Sequence, residues 1–473
     1  MKYFLCIDCG LTKLKIVLQS VWGEVVCEKC SNTPVSDYYV DVETIKLLLI
    51  KMIREMILEE SVDAEEILAV STSGHGNGVY ILDETGECTL GYSSMFTHSQ
   101  PYTPSTNLTF PITMQTSWSG QPLAILSYIK NEQPQQFSKI KKIMLCKDVI
   151  RFILTDVVAT DYTDASAAGL LNYKASDYDK NLLKIYGLEE CEKVLPKLCK
   201  CTDIIGNISE KFSQLSGLSE KTAVVGGLFD VNSCMLGSGV IEPDQYSIIA
   251  GTWGINSAVS KIPILNDKIT ECCIFTYPGQ YVCIDSAPTS CGNLEWFLRN
   301  VVPGLTYEEA NRIVLEQPMD KNLIYFPYIY KSMDLNMQGA FLGLSANHTY
   351  KDMLKAVYEG IVFEHAYRIE KLKNAGVCYN RAVLTGGAAN SEVFCQMFAD
   401  ITGLDIHTVS QAQTGALGGA IICSVAMGMY NSINTAVSEM VKPKSIFYPE
   451  ENKNYKEKFE LFKKIITERK ECC

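Results

Sequence analysis

Apolar residues cluster at positions 3–7, give way to a turn around Gly10, and return over 14–19. After a second turn near Gly23 a short strand-like run follows over 25–28, so the chain opens as a β-meander. Between 41 and 59, Val42, Ile45, Leu48, Leu49, Met52, Met56 and Ile57 fall close to helical spacing, and 67–71 reads as a buried strand. The same order begins again later. Strands are expected at 246–250 and 255–260 around a turn at 251–254, then at 273–277 and 280–284. A helix over 350–374 follows, with a strand at 382–384, a Gly-Gly turn, a helix over 391–402, a strand at 405–408 and a helix over 414–428. The charged stretch 450–470 predicts a terminal helix packed on the outside.

Two halves that open alike suggest duplication of one α/β fold, although a two-domain α/β protein without internal symmetry fits the pattern too. The segment Glu242-Pro243-Asp244-Gln245 is the expected boundary, giving domains 1–244 and 245–473. Length agrees, because 473 residues exceed what one hydrophobic core ordinarily serves.

Composition narrows the class. With 47% hydrophobic and 20% charged residues the chain is an ordinary globular protein, and its net charge of -12 argues against nucleic-acid or anionic-membrane partners, which need basic patches. The N-terminal apolar run is too short for a signal-peptide core, and the longest weakly polar run, 416–430, is too short to span a bilayer. A cytoplasmic location is expected. Nineteen cysteines scattered through so long a chain read as reduced, mostly buried thiols. Cys27 and Cys30 form a lone C-x-x-C without the second pair that a structural zinc site requires.

Four turns could carry chemistry. In Asp8-Cys9-Gly10-Leu11-Thr12-Lys13-Leu14-Lys15 a strand ends in a carboxylate and a Gly turn offers amides beside a hydroxyl, which suits phosphate and Mg²⁺; a plain hairpin is the alternative. Ala250-Gly251-Thr252-Trp253-Gly254 repeats that logic in the second half. Leu384-Thr385-Gly386-Gly387-Ala388-Ala389-Asn390 leaves a strand and enters a helix, so its small residues could admit a purine and its amides a phosphate. In Val224-Val225-Gly226-Gly227-Leu228-Phe229-Asp230 an acidic residue follows a short strand; Asp230 suits a base that accepts a hydroxyl proton, or a cap for the next helix.

Together these motifs resemble the FGGY carbohydrate kinases, from Asp8 to about Met429. Ser73-Gly74-His75-Gly76-Asn77-Gly78, Lys147-Asp148 with Leu154-Thr155, and Glu359-Gly360 fall in the same order. The resemblance implies two duplicated actin-like ATPase (ribonuclease H-like) α/β domains with an interdomain cleft, ATP and Mg²⁺, and leaves room for a homodimer. Asp230 then looks like the catalytic base and Asp8 the Mg²⁺-associated carboxylate. Gly10, Thr12, Lys15, Gly251 and Thr252 would line the phosphates, and Gly386, Gly387 and Asn390 the adenosine. His75 and Asn77 would contact the sugar, with Trp118 and Phe229 as apolar walls. Gly226-Gly227-Leu228-Phe229-Asp230-Val231, Gly251-Thr252-Trp253 and Ser290-Cys291-Gly292-Asn293-Leu294-Glu295-Trp296-Phe297 resemble the L-xylulose kinase branch, implying a ketopentose or a related keto sugar acid as acceptor. Other polyols, or a non-catalytic ATP-dependent sugar sensor, remain the alternatives.

Three departures stand out. Phe96-Thr97-His98-Ser99 puts His98 where the family often carries a sugar-binding carboxylate. Leu11 replaces a small or hydroxyl residue, and Tyr328-Ile329-Tyr330-Lys331-Ser332 a Gly-Glu-Arg segment.

Overall fold

The structure is a computed structural model that describes residues 1–264, 269, 271–330, 337–451 and 453–471, without the side chains of 453 and 469–471. Lys331 and Ser332 of the departing segment lie outside the described residues.

The opening meander forms as its apolar runs require: β1 (Tyr3–Cys9), β2 (Lys13–Ser20) and β3 (Val25–Asn32) are antiparallel, and α1 (Val42–Glu59) packs its apolar stripe on them. Asp41 starts that helix by accepting from Thr44 N–H at 3.0 Å. β4 (Ile67–Gly74) then pairs parallel to β1. Beyond it come β5 (Ile204–Asn207), β6 (Ala223–Val225) and the short β7 (Leu228–Phe229), giving a seven-stranded sheet in the order β5-β6-β4-β1-β2-β3 with β7 beside β4.

The second half repeats the plan. β8 (Tyr246–Ala250) and β9 (Gly254–Ser260) form the hairpin, joined by β10 (Glu271–Ile274) and β11 (Tyr281–Ala287). β12 (Arg381–Thr385) pairs parallel to β8, and β13 (Asp405–Val409) and the edge strand β14 (Pro443–Phe447) follow, so the order is β10-β11-β9-β8-β12-β13-β14. In each sheet an antiparallel meander is extended by two parallel strands and an antiparallel edge, which is the duplication that the two matching openings suggested.

One strand differs from the sequence reading. The run expected at 273–277 is β10, two or three residues earlier, because residues 277–280 make the tight turn, with Gln280 N–H bonded to Tyr277 O at 3.2 Å. That shift places Glu271 inside the strand.

The halves are tied at the base of the cleft by two helices, α4 (Asp230–Gly237) from the first and α7 (Thr414–Ala426) from the second. Their backbones nearly touch: a Cβ at Gly237 would lie 1.8 Å from Thr414 O, and one at Gly418 2.0 Å from Ser233 O, so neither position admits a side chain. Around them Phe4, Val17 and Ala69 of the first sheet share one buried apolar cluster with Val259, Cys273 and Val383 of the second. Among the described residues no helix is long and apolar enough to cross a membrane. Cys27 and Cys30 lie three apart on β3, so strand alternation turns their thiols to opposite faces and they cannot chelate one ion.

Candidate active site

The carboxyl ends of β1, β4 and β7 lie side by side, because β1 and β7 both pair parallel to β4 in register Asp8↔Ser73 and Phe229↔Gly74. This brings Asp8, His75, Phe229 and Asp230 together. Ser73 Oγ donates to Asp8 Oδ1 at 2.8 Å, and Lys15 faces Asp8 across the β1–β2 pair. Burial pushes the Asp8 carboxyl above its usual range, against the lowering pull of Ser73 and Lys15.

Asp230 is the first residue of α4, and its Oδ1 accepts from Val231 N–H at 2.7 Å. It therefore does not cap the helix through the second or third amide as an N-cap residue would. Burial first, and then the Asp8 charge, push its pKa up to about 7, the range suited to a base at neutral pH. His75 is buried, with Nε2 3.1 Å from Tyr80 Oη and its amide bonded to Cys9 O at 3.0 Å. Burial opposes its charge, but the facing Cys146 and the Gly76 carbonyl outweigh it and raise it to about 9.

Asn77 adopts φ 63° and is 7% exposed, with Oδ1 buried and unpartnered. Such an acceptor awaits a donor. Gly78 N–H bonds to Gly120 O at 2.8 Å, and the Trp118 ring lies against Gly120, which ties the loop carrying Trp118 to the turn after Asn77. His98 is exposed, and its ring partners are Phe96, Tyr38 and Tyr128, while the neighbouring Ser99 Oγ donates to Ser119 O at 2.5 Å.

Gly251, Thr252, Gly386, Gly387 and Asn390 gather at the matching ends of β8 and β12, which pair parallel with Ile249 opposite Thr385. Gly386 has φ 82°, and a Cβ there would meet Ala250 O at 2.7 Å, so the two turns are pressed together. Gly387 opens on empty space and Asn390 is exposed. In both phosphate-type turns the glycine amide is used internally, Gly10 N–H to Lys13 O at 2.9 Å and Gly251 N–H to Trp253 O at 3.2 Å. The exposed hydroxyls of Thr12 and Thr252 are the side-chain donors left to a phosphate. Lys15 Nζ reaches Gln413 Oε1 at 2.9 Å, at the start of α7, and so joins the two halves.

Sequence reasoning noted Lys147-Asp148 but not what they do. Lys147 Nζ lies 2.9 Å from Asp161 and also pairs with Asp148, all three fully buried. Arg151 bonds Asp148 at 2.9 Å and donates to the carbonyls of Gly226 and Ala159. Thr163 Oγ1 accepts from Phe229 N–H at 2.9 Å. The network thus clamps the loop that delivers Asp230. The repeated acidic residues at 161 and 164 were its visible sign. In the second half, His365 bridges Ser290 and Asn256 at 2.8 Å each beneath Gly254, and burial holds it neutral, its pKa lowered to about 3.

The comparisons with known proteins agree with this geometry. Residues 3–237 match the N-terminal domain, and 247–427 the C-terminal domain, of the FGGY family of carbohydrate kinases. The chain is 30% identical, over 98% of its length and 99% of the relative's, to the probable L-xylulose kinase of Haemophilus influenzae. It is 28% identical to the L-xylulose/3-keto-L-gulonate kinase of Escherichia coli, over 98% of this chain and 97% of that one. Among solved structures, ligand-bound xylulose kinase from Lactobacillus acidophilus superposes with a TM-score of 0.89 at 22% identity, over 99% of this chain and 98% of that one. Gluconate kinase from the same organism gives 0.88 at 22% identity with the same coverage. With both domain models matched in order, the duplicated sheets and the paired turns are those of a sugar kinase, and the chain belongs to the FGGY family of carbohydrate kinases.

Proposed function

We propose that this enzyme transfers the γ-phosphoryl group of ATP to a hydroxyl of a ketopentose, L-xylulose before other acceptors, in the cytoplasm, with residues 1–244 holding the sugar and 245–473 the nucleotide. The observation that carries the reading is the Asp8–His75–Asp230 group, whose base is tuned to about 7 at the end of parallel strands facing the cleft. The names of the two relatives above support the acceptor. Gluconate kinase among the structural neighbours keeps other polyols as the second reading.

Two buried carboxylates, both raised by burial and one of them facing a lysine, fit a divalent cation and a polyanion better than an empty cleft. Asp8, oriented by Ser73, would hold Mg²⁺, which when bound neutralises charge on the transferring group. Thr12, Lys15 and Thr252 would donate to the phosphates, and Gly386, Gly387 and Asn390 would flank the adenosine. His75 and the unpartnered Asn77 Oδ1 would bind sugar hydroxyls between Trp118 and Phe229. Asp230 accepts the proton of the attacking hydroxyl. Closure over α4 and α7 would shut out the water that competes as acceptor.

Asp230→Asn tests the assignment: ATP binding is retained while kcat falls by roughly 10² to 10⁴-fold. Because the base works only when ionised, wild-type kcat/KM rises as pH climbs through about 7 and levels off above it. A near-normal kcat in Asp230→Asn contradicts the role.

A further inference from the structure

β10 is the edge strand of the second sheet, yet its partners beyond that sheet belong to the first half. Cys272 N–H donates to Met114 O at 3.1 Å and Gln115 Nε2 donates to Cys272 O at 2.9 Å. Ile274 N–H bonds Ser166 Oγ at 3.0 Å, and Asn232 Nδ2 bonds Ile274 O at 3.1 Å. The strand therefore lies across the cleft, beside α4 and three residues from the Trp118 loop. Alternation fixes where its side chains point: Glu271 and Cys273 share a face, and Cys273 belongs to the buried apolar cluster that also holds Phe229, Val231 and Met235. That face leads to Asp230, the one charged group that acts on Glu271. The half-buried Glu271 side chain makes no hydrogen bond among the described residues.

Among the described residues no cation is paired with it. Lys147 is committed to Asp148 and Asp161, Arg151 to Asp148, and Lys15 to Gln413. His75 is the cation that acts on Asp230. The groups facing Glu271 are thus Asp230 from α4 and the uncharged Gln115 from the loop opposite.

We infer that Glu271 is a specificity-determining residue of the acceptor pocket, which hydrogen-bonds a sugar hydroxyl and disfavours acceptors that carry a carboxylate. The inference rests on the kinase reading above and chooses within it a neutral ketose over a keto sugar acid. A carboxylate on the acceptor would join Asp8, Asp230 and Glu271, while the cations described beside them, Lys15 and His75, already face Asp8 and Asp230. Burial, and then Asp230, push the Glu271 carboxyl up to about 8, so its charge is fully present only in mildly alkaline solution.

The test compares L-xylulose with 3-keto-L-gulonate at pH 8.5 in wild type and Glu271→Gln, reading kcat/KM for each and the sugar affinity by tryptophan fluorescence. ATP binding certifies that the variant is folded. Wild type favours the neutral sugar, and Glu271→Gln shifts the ratio towards the acid by about tenfold, the size of a like-charge effect across a partly solvated cleft. A ratio unchanged within about twofold overturns the inference while leaving the kinase reading intact. If neither sugar is phosphorylated but both bind, the kinase reading fails and the binding ratio still judges Glu271. If wild type binds neither sugar, both are overturned.

Discussion

The two walls of the cleft are built on the same strand order but from opposite materials. The first half presents buried, ionisable side chains: Asp8 and His75 both act on Asp230 at the ends of β1, β4 and β7. The second presents turns of small residues: Gly251 and Thr252 after β8, Gly386 and Gly387 after β12, with Thr252, Gly386 and Gly387 open to solvent. One wall holds charges whose pKa values depend on dryness, and the other leaves space and backbone for a large ligand. Duplication supplied the frame, and divergence at the strand ends gave the two walls different chemistry; on the proposed function, one serves proton transfer and the other the nucleotide.

That contrast can be broken from either side. The largest expected effect is Lys147→Met, which leaves Asp161 buried without its cation and Asp148 with Arg151 alone. About 3–5 kcal/mol of stability should be lost in denaturant titrations. Gly386→Val attacks the other wall, where φ is 82° and Ala250 O lies 2.7 Å from any Cβ. The KM for ATP should rise by about tenfold, the equivalent of ~1.4 kcal/mol of strain, while sugar affinity stays unchanged. The smallest effect belongs to His98→Asp. Because His98 stacks on Phe96 at the surface, the sugar profile should hold and stability should fall by less than about 1 kcal/mol. A changed ketose preference in that variant would return His98 to the sugar site.

The sequence revealed the second wall more fully than the first. Glycines after strands mark backbone turns directly, so Gly251 and Gly386 could be read from their neighbours, and the helix over 350–374 was legible from its spacing. Asp8 and Asp230 were also visible as acidic residues closing apolar runs. What their environments do was not, since it depends on residues distant in the chain: Ser73 on Asp8, Arg151 on Gly226, Thr163 on Phe229. Glu271 escaped for a local reason. Its strand was expected to begin at 273, so its side chain had no assigned face until β10 fixed one. For His98, position relative to a family motif suggested a sugar contact, while its ring partners Tyr38, Phe96 and Tyr128 could not be read from the sequence.

The central claim, that the two walls act together as an ATP-dependent ketose kinase, is tested most directly by coupled ADP release with Mg-ATP over L-xylulose, D-xylulose, L-ribulose, D-ribulose, 3-keto-L-gulonate, glycerol and gluconate. The account predicts strong stimulation by a neutral ketopentose, L-xylulose foremost, and little release without sugar. ADP release that no sugar stimulates, or detectable ATP binding with a flat response across the panel, would contradict it.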